Sequence, residues 1–234
     1  EWKSQQGCSV AYSHMAATVY NNRAYVIGGL DKQVGIECQV YTSENNSWLF
    51  EFPSLPKGRF NSVCFVYRDS LYVFGGTDNS SNMNEIVRYD LSTQNSGEWT
   101  TIAKVNEANQ RGGVAFVVED KVYAGLGEKS NGIRNGFYAS SDSLTKWELI
   151  PSIPAQLGVI SSGVYDEQKK SFFMIDNDGK IWEYNLTTEQ WTSRSLWIRM
   201  KNYHMFMLDG SIYILGQDIY QKNKFTVYNP IWDN

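Results

Sequence analysis

One pattern constrains this chain more than any other. A short alternating apolar stretch ending in glycine, Arg23-Ala-Tyr-Val-Ile-Gly-Gly29, returns as Ser70-Leu-Tyr-Val-Phe-Gly-Gly76. It returns more loosely as Lys121-Val-Tyr-Ala-Gly-Leu-Gly127 and Ser211-Ile-Tyr-Ile-Leu-Gly216. A second signal follows each copy, a Tyr and then a Trp: Tyr41 and Trp48, Tyr89 and Trp99, Tyr138 and Trp147, Tyr184 and Trp191, Tyr228 and Trp232. The five Trp stand at intervals of 51, 48, 44 and 41 residues. Self-similarity at such a period marks a repeat architecture in which each unit is one supersecondary element.

Each unit reads as four short strands. The first gives Met15–Tyr20, a turn at Asn21-Asn22, then Ala24–Ile27, Gln39–Thr42 and Ser47–Phe50. The second repeats the plan with Ser62–Tyr67, a turn at Arg68-Asp69, Leu71–Phe74, Ile86–Tyr89 and Glu98–Ile102. Period-two alternation bounded by turn residues argues for strands, and no window of 11 to 18 residues carries a competing helical stripe. A four-stranded sheet of this size cannot bury both faces alone, so the units must pack face to face around an axis. The expected fold is an all-β propeller.

Those residues resemble the kelch repeats, whose marks are a Gly-Gly after the second strand and a Tyr, six residues, then Trp. Tyr41 to Trp48 and Tyr184 to Trp191 keep that spacing, while the other three pairs depart from it. Gly-Gly stands intact at 28–29 and 75–76, becomes Gly125-Leu-Gly127, vanishes in Phe172-Phe-Met-Ile-Asp176 and shrinks to Gly216. The third copy, Arg111-Gly-Gly-Val-Ala-Phe-Val-Val before Lys121-Val-Tyr-Ala-Gly-Leu-Gly, with Tyr138-Ala-Ser-Ser-Asp after it, is similar to secreted and surface kelch proteins of the Bacteroidetes type.

The expected organisation is a single kelch-type domain over 1–234, with blades at 14–52, 59–103, 111–150, 158–193 and 203–233. Trp48, Trp99, Trp147 and Trp191 precede the next inner strand by 11 or 12 residues, at Arg59, Arg111, Gly158 and Tyr203, and Trp2 stands 12 before His14. Residues 1–13 therefore read as the tail of a preceding blade: five complete blades plus the outer strand of a further one, in a larger protein.

Composition trims the function classes. The formal net charge of −4 provides no field for gathering phosphates, so nucleic acid is not expected as a partner. No apolar run of about 18 residues exists, so direct membrane insertion is not expected. Three cysteines, Cys8, Cys38 and Cys64, lack Cys-x-x-Cys spacing, and the chain has two His, so no zinc site is expected. Asp176-Asn-Asp-Gly179 resembles half a calcium loop, but its downstream Glu is missing and Asp-Gly before a strand is a turn signal. The paired glycines lack the helix and the Lys of a phosphate loop, and serve turn geometry and blade packing instead.

A core follows the repeat and a binding site breaks it. The positions between outer and inner strands, where repeats differ, are His14, Arg59, Arg111, Gln156 and Tyr203-His204, with Asn61 and Asn202 beside them. In kelch proteins that this chain resembles, an Arg at the place of Arg59 and Arg111 lines a ligand pocket, where its forked donors suit carboxylates and hydroxyls. The competing reading pairs these arginines with Glu51 or Glu107. The resemblance also raises a copper centre of the galactose oxidase type, which would need His14, His204, Tyr12 and Tyr203 to converge with Cys8 near a Tyr. A further blade would separate the two His, and no metal or other cofactor is expected. A sialic acid mutarotase-like activity would employ Arg111 with Glu107.

The expected function is a non-catalytic binding module that presents propeller loops to a glycan or protein partner, outside the cytoplasm at a bacterial surface or in a periplasm. The alternatives are the mutarotase and an intracellular, cytoplasmic adaptor similar to BTB-kelch proteins. Polar loops at Thr77–Asn84 and Glu128–Asn135 supply adaptable contacts.

Overall fold

The computed structural model describes residues 4–8, 10–49, 52–93, 95–132, 136–141, 143–151, 153, 160, 162–176, 179–197, 200–218 and 220–228. Side chains are described for all of these except 195–197 and 201–202. The chain forms antiparallel sheets in strict sequence order. Blade 1 is β1 (Ala16–Tyr20), β2 (Arg23–Ile27), β3 (Cys38–Thr42) and β4 (Ser47–Leu49). Blade 2 is β5 (Val63–Tyr67), β6 (Ser70–Phe74), β7 (Glu85–Asp90) and β8 (Thr100–Lys104). Blade 3 is β9 (Val114–Val118), β10 (Lys121–Gly125), β11 (Phe137–Ser141) and β12 (Glu148–Leu149). Blade 4 is β13 (Gly163–Asp166), β14 (Ser171–Ile175), β15 (Lys180–Asn185) and β16 (Gln190–Trp197). Blade 5 has three described strands, β17 (Lys201–Leu208), β18 (Ser211–Gln217) and β19 (Asn223–Tyr228). Its expected outer strand at Trp232, and the Trp2 tail, lie outside the described residues.

The innermost strands follow one another around the axis, β1 beside β5, β5 beside β9, β9 beside β13 and β13 beside β17, which makes the architecture a β-propeller. Two-residue turns close the inner hairpins of blades 1, 2, 3 and 5, and four residues close that of blade 4. Asn21 and Asn22 have φ of 46° and 58°, and Arg68 and Asp69 have 46° and 53°. Two consecutive left-handed residues make the turn whose twist matches that of the flanking strands.

Alternation puts one side of each strand toward the preceding blade and the other toward the following one. Four apolar seams result. Ile27 and Val40 of blade 1 meet Val73 and Val87 of blade 2. Phe74 and Ile86 meet Val122 and Ala124 of blade 3. Phe116 and Phe137 meet Phe172 and Met174 of blade 4, with Phe116 and Phe172 stacked at 4.4 Å. Phe173 and Ile175 meet Ile212 and Ile214 of blade 5. Burying one such side chain contributes about 1.5–3 kcal/mol, so the seams carry most of the fold's stability.

The repeated Gly-Gly is explained by the same seams. Gly28 and Gly75 both have φ +63°, and the second glycine of each pair donates its N–H to the linker of the next blade: Gly29 to Arg59 O at 2.9 Å and Gly76 to Gln110 O at 2.8 Å. A Cβ on Gly75 would stand 2.5 Å from Ala108 O and 2.7 Å from Gln110 O. The repeated Trp ties blades at the rim. Trp99 Nε1 donates to Pro53 O at 2.9 Å and Trp191 Nε1 to Pro151 O at 2.6 Å, each a carbonyl in the linker that leaves the preceding blade. Trp48 Nε1 donates to Gln6 O at 2.9 Å. Gln6 thus sits for blade 1 where Pro53 sits for blade 2.

The third Tyr–Trp pair needs correction. Tyr41, Tyr89, Tyr184 and Tyr228 all stand across from the second residue of their unit's second strand, whereas blade 3 has Ser140 there, opposite Val122. Tyr138 lies two residues away, and its hydroxyl accepts from Lys129 Nζ. Trp147 instead packs on Phe74 of the preceding blade at 5.1 Å. Spacing to a Trp across a variable loop cannot reveal a two-residue offset that preserves the face.

Substituting Gly75→Ala forces a methyl onto two carbonyls at a left-handed φ, and we expect a loss of roughly 2–3 kcal/mol. Trp99→Phe keeps the ring packing but strips the Pro53 carbonyl of its donor, for about 1 kcal/mol. Urea unfolding with unchanged m-values checks both, and equal losses for the two variants would contradict this account.

Candidate functional site

The linkers between blades and the loops joining second and third strands open onto the same end of the ring. At their centre is a hollow of about 290 Å³ lined by the first residues of the inner strands of blades 1–4 and by His204 and Met205 of β17. Its wall is small and apolar: Met15, Ala16, Val63, Gly113, Val114 and Met205 among others, with Ser62, Ser162 and His204 as polar members. Among the described residues no carboxylate, Lys or Arg lines it. Ser62 is buried and its Oγ has no hydrogen-bond partner among the described residues, while Ser162 Oγ accepts from Met205 N at 2.8 Å.

Backbone bridges fix which residues are equivalent around the mouth. Ser13 pairs with Leu30, Phe60 with Thr77 and Arg111 with Glu128. His14, Asn61 and Gly112 therefore occupy one position, and all are left-handed, with φ of 57°, 49° and 70°. They are stitched in series: Asn61 N donates to His14 O at 3.0 Å, and Gly112 N to Asn61 O at 2.6 Å. This shared strained position is a preorganised rim. His14 is exposed; Ser13 Oγ lies 2.9 Å from its Nδ1, and the edge of its ring meets Phe60.

Arg59 and Arg111, expected at one position, are not equivalent. Arg59 is one residue earlier, matching Gln110, and one step along an extended chain reverses the side chain's direction. Arg59 is fully buried, donating from Nη1 to Gly75 O at 3.2 Å and pairing through Nη2 with Glu85 at 3.5 Å. Burial lowers its pKa, and the Glu85 carboxylate opposes that shift. Gln110, also buried, accepts Gly127 N–H at 3.1 Å. Both side chains brace the glycine loop of a blade. Neither opens to the mouth.

Arg111 is half exposed on the rim, and its Nε and Nη2 converge on one Glu128 oxygen at 3.2 and 3.0 Å. Its partner among the described residues is thus Glu128 and not Glu107; Glu51 lies outside the described residues. Glu107 sits in a single helical turn at Asn106–Ala108. Asn82 Nδ2 donates to Glu128 O at 2.9 Å, joining the glycine loops of blades 2 and 3. The loop after Thr77 is held by Asp78, which accepts Ser80 N, Ser80 Oγ and Ser81 N and pairs with Lys57 at 2.7 Å. Lys57 first, then Ser80, hold the Asp78 carboxyl well below the usual carboxylate range.

Tyr203 points away from the mouth, buried, its hydroxyl donating to Ile175 O; burial raises its pKa. His204, next in the strand, is exposed and lines the hollow. Gln156 lies outside the described residues, and only the backbone of Asn202 is described. Among the described residues no three His, Cys, Asp or Glu come together to hold a metal. Asp176 closes a hairpin turn: one oxygen accepts Lys180 N and the other Trp182 Nε1 at 2.8 Å. Cys64 lines the hollow as a buried thiol that burial pushes up to about 12, and the Cys38 thiol is raised by burial and then by Cys64. A hollow of about 490 Å³ at the opposite end is lined by Tyr20, Tyr67, Arg68 and Asp69, where Tyr20 binds Asp69 and Arg68 binds Asp120.

Arg59→Met leaves the Gly75 carbonyl without this donor and Glu85 with Lys104 as its remaining ion-pair partner among the described residues, and we expect a loss of about 2–3 kcal/mol. Arg111→Ala removes a solvent-facing pair and should cost under about 1 kcal/mol. Paired denaturant melts read the difference. Because both thiol shifts run upward, Cys38 and Cys64 stay protonated at pH 8, and iodoacetamide should label them at least about 100-fold slower in the native chain than in guanidinium. Rapid native labelling, scored by mass spectrometry, would contradict the buried seam.

The comparisons agree with this architecture. Residues 2–163 match the family model described as the KLHDC2/KLHL20/DRC7 Kelch-repeats domain. Kelch-like protein 36 of Mus musculus is 26% identical over 165 residues, covering 65% of this chain and 26% of that protein. Kelch repeat and BTB domain-containing protein 1 of Ectromelia virus (strain Moscow) is 25% identical over 231 residues, covering 92% of this chain and 39% of the viral protein. This chain thus spans about a quarter of the length of the mouse relative. Among solved structures, one titled "Structure of YjhT" superposes with a TM-score of 0.81 at 15% identity, over 98% of this chain and 88% of the other, a likeness of fold. With the family model covering more than half of its length, the chain belongs to the kelch-repeat proteins.

Proposed function

We propose that this propeller is a non-catalytic binding module that takes a protein partner on the face bearing the blade linkers and glycine loops. The observation that carries the reading is the chemistry of the mouth. Its wall is neutral and largely apolar, and the two arginines expected to receive an anionic ligand are each engaged by a carboxylate, Arg59 by Glu85 and Arg111 by Glu128. Among the described residues an acidic sugar in the hollow would meet no free Lys or Arg, and burying an unpaired charge is costly. An extended or looped peptide can supply apolar side chains to the wall and main-chain groups to His204.

The matches to proteins named for a BTB domain support the adaptor form of this reading, in which the propeller grips a protein inside the cell and another domain connects it onward. Likeness of the third repeat to secreted kelch proteins supports a surface setting, with a glycan as the competing ligand. The mutarotase reading is weakened by the Arg111 pairing, since a working Arg and Glu at the rim would have to separate first.

The test screens the folded chain in parallel against a random-peptide display library and a glycan array, each repeated with Arg111→Ala and His204→Ala. We expect peptides to be enriched, with saturable binding weakened at least tenfold by His204→Ala. Glycan binding without peptide enrichment would replace this reading with a carbohydrate-recognition propeller. Peptide binding indifferent to both variants would move the site off this face.

A further inference from the structure

The ring carries a second hollow at the end away from the blade linkers, where the inner hairpins turn. Its volume is about 490 Å³, and Ala17, Cys64 and Ala115 line it and the mouth hollow alike, so the two lie back to back across small side chains. Val66 pairs with Leu71 and Val117 with Val122, the same register position on successive blades, and with Phe65 they make the wall apolar. Val117 is 37% exposed.

The rim of this hollow breaks the repeat. Two ties run forward from blade to blade: the Tyr20 hydroxyl donates to Asp69, and the Tyr67 hydroxyl donates to Asp120 O at 3.0 Å. Arg68 reinforces the second, pairing with Asp120 at 3.3 Å while lying over the Tyr67 ring at 5.0 Å. The series stops at blade 3. Val118 stands where Tyr20 and Tyr67 stand, and Glu119 stands where Arg68 stands, with φ of 52° against 46°. Glu119 is exposed and makes no hydrogen bond or ion pair among the described residues. Among those residues the lining carries three carboxylates, Asp69, Glu119 and Asp120, against the single guanidinium of Arg68. The negative field reaches blade 4, where burial first, and then Glu167, Glu119 and Asp166, push the Tyr165 pKa up. An apolar recess rimmed by excess charge of one sign draws in and orients a group of the other sign.

We propose that this end of the ring is a second docking surface, for a basic segment of a protein partner. An apolar side chain of the segment enters between Val66 and Val117, and the Lys or Arg beside it meets Glu119. The valines select an apolar group of limited size, and the reversal of charge from Arg68 to Glu119 selects a cationic neighbour. A lone metal ion would leave the valine wall unused, and among the described residues no three His, Cys, Asp or Glu come together to hold one. The surface lies at the opposite end from the mouth, so it stands or falls apart from any ligand taken there.

The test measures anisotropy of a fluorescein-labelled arginine-leucine-arginine-leucine-arginine peptide titrated with residues 1–234, beside peptides with serine for leucine and with glutamate for arginine. The expected result is saturable binding of the first peptide alone. Glu119→Arg, which installs the residue of the preceding repeat, should weaken it about tenfold or more, and Val117→Ser several-fold. Glu44→Arg, an equal charge change in the exposed outer turn of blade 1, should alter it less than about twofold. Equal binding of the serine peptide, or equal losses with Glu119→Arg and Glu44→Arg, would show diffuse charge attraction and overturn the proposal. Absence of saturable binding to a chain that melts cooperatively in urea overturns it as well. Should Glu119→Arg fail to fold, Glu119→Gln gives the same reading as a several-fold loss. Binding lost in His204→Ala and indifferent to Glu119→Arg would place the peptide at the mouth, against this inference.

Discussion

The seam between consecutive blades is the interaction on which the rest of this structure depends. A four-stranded sheet has two faces and no way to cover either by itself, so each blade folds only as a neighbour of another. The seams bury aliphatic and aromatic side chains, but apolar burial is non-directional and would tolerate sliding. What sets the register is a handful of polar ties: the second glycine of a pair donating to the next linker, as Gly76 does to Gln110, and the outer-strand Trp donating to the preceding one, as Trp99 does to Pro53. The glycines are required because the next linker's carbonyls stand where a Cβ would be.

Those ties also make the face proposed for binding. Linkers pinned by Gly29 and Gly76 present Arg59 and Gln110 inward and the next residues, Phe60 and Arg111, outward toward the loops. The left-handed series His14, Asn61 and Gly112 follows, stitched through backbone hydrogen bonds. The mouth is therefore a by-product of blade packing, rigid before any ligand arrives, and its chemistry depends on the few side chains the packing leaves over. Rigid loops over an apolar hollow suit recognition by shape.

Much of the site was hidden by arithmetic of one or two residues. Linkers of 11 and 12 residues made Arg59 and Arg111 look equivalent, yet the bridges Phe60–Thr77 and Arg111–Glu128 place them one step apart, one buried and one on the rim. The Tyr138–Trp147 pair misleads for a similar reason, since loop length hides register. Ser62 and Met205 carried no sequence signal as wall residues, because small and apolar side chains at strand starts look like core. Glu128 heads the polar loop that the sequence marks for contacts, directly after Gly125-Leu-Gly127 at the position that Thr77 holds after Gly75-Gly76, while its pairing with Arg111 depends on the fold.

By itself the sequence determined the all-β class, the four-strand unit, the hairpin turns at Asn21-Asn22 and Arg68-Asp69, and the packing of units around an axis. These follow from local periodicity and from backbone positions that turn residues and glycines accommodate, properties readable within ten residues of chain. Tertiary structure alone decided which side chains face the channel and which carboxylate takes each arginine. Those depend on register between strands distant in sequence, where one residue reverses a side chain.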